Sequence, residues 1–124
     1  MELVQTKETL NYRELVIQCA KLLDEKKAED IILMDVKKVT PITDYFLVAS
    51  AESNVGLNML SDYVEEELAK NGIKRVNPRN PFPESPWILT DYGFIVVHLF
   101  LREARQYYGI EKFWHDAEII PINI

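Results

Sequence analysis

Residues 87–101 read WILTDYGFIVVHLFL, two apolar runs that meet at Tyr92 and Gly93. The spacing predicts a tight antiparallel hairpin of strands Trp87–Asp91 and Phe94–Leu101, with Gly93 taking the positive φ of the turn. The second run is apolar almost throughout, as is IILM at 31–34, so these strands are expected to be covered on both faces. That cover has to come from helices lying before, between and after them.

Working back from the hairpin, NPRNPFPESP (77–86) holds four of the 6 prolines and cannot form a regular ladder, so it reads as a loop. A short strand is possible at Ile73–Val76. Before it, Leu57, Leu60, Val64 and Leu68 form one stripe of a helix capped by Ser53 or Asn54 and stopped by Asn71 and Gly72. DYFLVASA (44–51) and Asp30–Val36 read as strands separated by a loop at Pro41. From Tyr12 to Lys27, Leu15, Val16, Cys19, Ala20, Leu22 and Leu23 recur at helical steps between charged positions. After the hairpin, Arg102–Tyr108 starts a helix that ends at Gly109, and Phe113 and Trp114 lie on a last turn before PINI. Helix-separated strands favour parallel neighbours while the hairpin forces an antiparallel pair, so the expected fold is an α/β layered domain with a mixed sheet covered by helices. At 124 residues the chain is long enough for one such core and too short for two.

Composition bounds the partners. With 14 Lys and Arg against 20 Asp and Glu, the net charge of −6 repels nucleic-acid phosphates, so no direct nucleic-acid readout is expected. The same surface can be steered towards a basic protein. The single cysteine, Cys19, permits neither an internal disulfide nor a cysteine metal cluster. No export signal or apolar run of membrane-spanning length is present, and a reducing, cytoplasmic setting is expected.

Chemistry-bearing motifs are absent from the sequence: there is no HExxH, GxxxxGK[ST], GxGxxG or GxSxG. No catalytic residue, metal or cofactor is therefore expected. His98, central in an apolar strand, has three readings: a hydrogen-bonded structural histidine with a lowered pKa, a partner contact, or a general base. Asp91 before Tyr92 and Gly93 reads first as turn chemistry, and Asp44 as a turn cap, although both are the carboxylates an enzyme would use with His98. Trp87 is either a lid on the core or an exposed anchor. Tyr107 and Tyr108, about 100° apart on a helix, should place one ring inward and one nearer the surface. Glu65, Glu66 and Glu67 read as a solvated face.

DYFLVAS (44–50), the SN at 53–54 with the acidic helix to EEEL (65–68), WILTDYG, VVHLFL and REARQYYGIEKFWHDA (102–117) together resemble the Iojap, or ribosomal silencing factor, family. The resemblance covers roughly residues 10–116, with 117–124 left as a C-terminal tail of one domain spanning 1–124. It implies a nucleotidyltransferase-like shape without catalysis, a homodimer in isolation, and binding to large-subunit ribosomal protein fourteen. It further implies translational repression by blocking association of the two ribosomal subunits when nutrients are scarce or growth stops, with ribosome assembly as the role of organellar relatives. The family's contact surface maps here onto Trp87, Asp91, Tyr92, Gly93, His98 and Tyr108. Ala51, Val55, Gly56 and Phe94 depart from the family pattern. A nucleotidyltransferase or hydrolase using Asp44, Asp91 and His98 within one pocket is the competing expectation, against which stands the absence of the paired aspartates and Gly-Ser entry of a working nucleotidyltransferase.

Overall fold

Glycine at position 93 adopts φ +91 and turns the chain between β3 (Trp87–Asp91) and β4 (Ile95–Leu101), as the hairpin reading requires. A computed structural model describes residues 11–79, 81–109 and 115–122, except for the side chains of Tyr107 and Tyr108. Beside the hairpin lie β1 (Glu29–Asp35), β2 (Tyr45–Ala51) and β5 (Glu118–Ile119), giving one sheet in the order β3-β4-β2-β1-β5. β2 and β4 are parallel, connected through helix α2 (Asn54–Ala69) and then β3, and the other neighbours are antiparallel. The mixed α/β fold read from the sequence is the one observed.

Both long helices lie on one side of the sheet, so the helical cover expected on both faces is supplied by them on one only. In α1 (Tyr12–Glu25), Asn11 caps the N-terminus by accepting the Glu14 N–H at 3.1 Å. The helix stops short of Lys27, which turns to φ +68. Ser53 caps α2 by accepting the Gly56 N–H at 3.1 Å. A Cβ on Gly56 would lie 3.3 Å from that same Ser53 Oγ, a tight contact that the hydroxyl would have to ease. Leu15, Val16, Cys19 and Leu23 of α1 and Leu57, Leu60, Val64 and Leu68 of α2 meet Leu33, Leu47, Ala49, Ile88, Val97 and Leu99 of the strands in the main core. Burial there pushes the Cys19 thiol up to about 12.

Three sequence readings need correction. Ile73–Val76 is not a strand: the Val76 N–H reaches the Asp91 carbonyl at 2.6 Å, but the next contacts along that edge come from the Asn77 side chain, and Pro78 has no N–H to continue a ladder. The segment from Arg102 is broken into a 3₁₀ turn (Arg102–Ala104) and the single turn α3 (Arg105–Tyr108), closed by Gly109 at φ +60. The stretch read as a tail is built into the sheet: Glu118 and Ile119 pair with Asp35 and Met34, and Ile120, 2% exposed, donates its N–H to the Leu33 carbonyl at 2.8 Å. Two paired residues are too few to leave a periodic signature. Phe113 and Trp114 lie outside the described residues.

Candidate functional site

Alternation along the strands divides the sheet residues between two layers. Trp87, Leu89 and Asp91 of β3 stand opposite Phe100, His98 and Val96 of β4, and on the other side of β4, Val96, His98 and Phe100 stand beside Phe46, Val48 and Ser50 of β2. This is the face that carries neither α1 nor α2. Its own small core is Met34, Val36, Val48 and Phe100, with Phe46 and Trp87 half-buried against it. From α3, the buried Arg105 reaches down to it and donates to Ser50 Oγ at 2.8 Å.

At its centre is an aromatic group. The Trp87 ring stacks on Phe100 at 5.3 Å between centroids and on His98 at 5.8 Å, while Phe46 meets His98 edge-on at 4.9 Å. Trp87 Nε1 donates to His98 Nδ1 at 3.3 Å. Because Nδ1 accepts, the neutral imidazole carries its proton on Nε2, which is buried with no hydrogen-bond partner among the described residues. Burial pushes the His98 pKa down to about 4.

That shift has a signed consequence for stability. The unfolded chain takes up the imidazole proton near 6.5 and the folded chain only near 4, so the unfolded state binds more protons in between. Stability is undiminished above the higher value, falls as pH drops through that window by about 3 kcal/mol, and is insensitive to this group below it. Urea midpoints measured at several pH values should show this decline in the parent and a shallower one in His98→Gln. Parallel declines in the two proteins would contradict it.

The residues singled out in the sequence are distributed as follows. Trp87 and His98 are joined directly, and Asp91 lies on the same face. The Asp91 carboxylate accepts the Gly93 N–H at 2.8 Å, which is the turn chemistry expected of it. Gly93 is exposed at the hairpin tip. Tyr92 is turned into the other layer: it is 4% exposed in the helix-side core, and burial raises the pKa of a phenol that comes close to Thr90 without completing a well-formed hydrogen bond. Its ring therefore does not share the face of Trp87. The Tyr108 side chain lies outside the described part of the structure. Leu89, 38% exposed between Trp87 and Asp91, belongs to the face and was not singled out, although its place two residues after Trp87 gives the signal. Phe94 packs on Tyr12 at 4.5 Å, so this departure is absorbed within the chain.

Asp44, Asp91 and His98 form no bonded constellation among the described residues. Among the described residues no hydrogen bond or ion pair joins any two of them: His98 is bonded to Trp87, Asp91 to the Gly93 amide, and the Asp44 backbone N–H to the Phe94 carbonyl. No group of three or more His, Cys, Asp or Glu among the described residues could hold a metal ion. What the face offers is a half-buried aromatic and an exposed leucine on a rigid sheet, an arrangement suited to contact with another macromolecule.

Residues 9–124 match the model of the family described as "Ribosomal silencing factor during starvation". A ribosomal silencing factor of Bacillus subtilis is 32% identical over 114 residues, which span 92% of this chain and 96% of that protein. The chloroplastic Iojap protein of Zea mays is 30% identical over 106 residues, or 86% of this chain and 46% of that longer protein. A crystal structure of a protein from Chromobacterium violaceum superposes with a TM-score of 0.77 at 29% identity, covering 93% of this chain and 94% of that one. A second, from Bacillus halodurans, gives 0.72 at 25% identity over 90% of this chain and 99% of that one.

Proposed function

We propose, from the premise that this chain belongs to the ribosomal silencing factor family, that it represses translation by docking the sheet face opposite its two long helices on large-subunit ribosomal protein fourteen. Seated there, the chain stands in the way of the small subunit and keeps the two subunits apart when nutrients are scarce. The role is steric and asks no chemistry of the chain's own residues.

Family membership supports the ribosomal silencing role, and the named protein partner comes from the motif resemblance. The observation that carries the choice of surface is the pairing of half-buried Trp87 with Leu89, 38% exposed, on a sheet face free of both long helices. Large aromatic anchors beside apolar neighbours dominate protein interfaces. The net charge of −6 supports a protein contact over an RNA contact, because it is attracted to a basic ribosomal protein and repelled by phosphate.

The test is subunit joining in a purified system. Large subunits incubated with the protein before small subunits are added should yield fewer joined particles by light scattering, in proportion to occupancy. Full joining at saturating occupancy would overturn the steric block.

A further inference from the structure

β3 is an edge strand of the sheet, and its free side is almost completely occupied, by two side chains and one backbone N–H. Trp87, Leu89 and Asp91 form the non-hydrogen-bonded pairs with β4, so their N–H and C=O groups point away from the sheet. Ser85 Oγ donates to the Trp87 carbonyl at 2.8 Å and accepts the Trp87 N–H at 3.4 Å. Asn77 Nδ2 donates to the Leu89 carbonyl at 2.8 Å, and Asn77 Oδ1 accepts the Asp91 N–H at 2.9 Å. The Val76 N–H takes the Asp91 carbonyl at 2.6 Å. Among the described residues, the Leu89 N–H is the outward group left over. The Asn77 amide thus bonds β3 as the peptide group of a sixth strand would.

Both clamps are held from behind. Arg75 Nε donates to the Asn77 carbonyl at 3.1 Å, and the same guanidinium meets Glu65 of α2 at 3.4 Å. Asn54, the first residue of α2, donates to the Ser85 carbonyl at 3.0 Å. Glu65, read from sequence as part of a solvated charge run, is in fact an anchor for this region, since Arg79 also reaches it at 2.8 Å.

We infer that Asn77 and Ser85 close the β3 edge against strand addition, and that the strand they exclude is β3 of a second copy of this chain. An unprotected edge offers unpaired backbone groups to any extended segment. Here the edge is self-complementary about Leu89. A two-fold axis at that residue would pair its free N–H with the Leu89 carbonyl of the other chain, reciprocally, and set Trp87 opposite Asp91 on each side. The inference stands independently of the ribosomal reading, since it concerns the strand's edge and not its face.

Cross-linking at the two-fold position tests it. In an antiparallel hydrogen-bonded pair the Cα atoms lie ~5.5 Å apart, within the ~4.4–6.8 Å span of a disulfide. Cys19 is fully buried and does not compete. Under mild oxidation, Leu89→Cys should cross-link at least roughly tenfold more in an Asn77→Ala, Ser85→Ala background than in one that keeps both clamps. Equal yields with and without the clamps overturn the inference. If the double variant does not fold, Asn77→Asp serves instead, because it keeps the acceptor for the Asp91 N–H and sets an oxygen against the Leu89 carbonyl. Its Leu89→Cys form must still cross-link more than the Asn77 parent, and the same yield would be contradictory.

Discussion

Trp87→Ala is expected to weaken binding to isolated large subunits by roughly 30-fold or more, the scale of a hot-spot aromatic worth about 2 kcal/mol. The ring is half-buried and packs on Phe100 and His98. Its removal also leaves His98 Nδ1 without the donor it now accepts. Two companions separate contact from folding. Leu89→Glu alters a side chain that is 38% exposed and should lose binding while retaining the parent's urea midpoint. Trp87→Phe keeps the stacking surface and should fall between parent and Trp87→Ala. Co-sedimentation with large subunits reads all three, and undiminished binding by both Trp87→Ala and Leu89→Glu would remove this face from the interface.

Phe100→Ala is expected to cost about 3–5 kcal/mol of folding stability, the range for emptying a buried aromatic site. Phe100 is fully buried and is the ring on which the exposed side of the site rests, stacked with Trp87 at 5.3 Å and His98 at 6.3 Å. The cavity opens beneath Trp87, so the variant should also free the indole. A urea unfolding curve followed by far-ultraviolet circular dichroism gives the cost, and a loss of under about 1 kcal/mol would mean that the face collapses to fill the space. The change in binding should exceed what unfolding alone explains, because Trp87 loses its support.

Much of this was legible in the chain. The hairpin was readable because Gly93 sits between two apolar runs, and a mixed sheet because a long capped helix separates the hairpin from β2; that β2 pairs with β4 and not with β3, the strand that follows the helix, was not readable. Strand parity even separates Tyr92 from Trp87, since Ile88, Thr90 and Tyr92 alternate with Trp87, Leu89 and Asp91, although the contact set read from resemblance placed them together. β5 could not be read, being two residues long and held mainly by backbone bonds to β1. Nor could the edge clamps, since an asparagine or serine in a proline-rich loop carries no mark of the strand it will bond. Which sheet face the two helices leave uncovered depends on crossover geometry that periodicity does not encode. The site's residues could therefore be named before their common surface could be drawn.

Most direct of all is a titration of the purified chain into recombinant large-subunit ribosomal protein fourteen by calorimetry, with Trp87→Ala run alongside. A saturable heat with micromolar or tighter affinity, lost in the variant, is expected. No heat at micromolar concentrations, or equal heats from parent and variant, would contradict docking through this face.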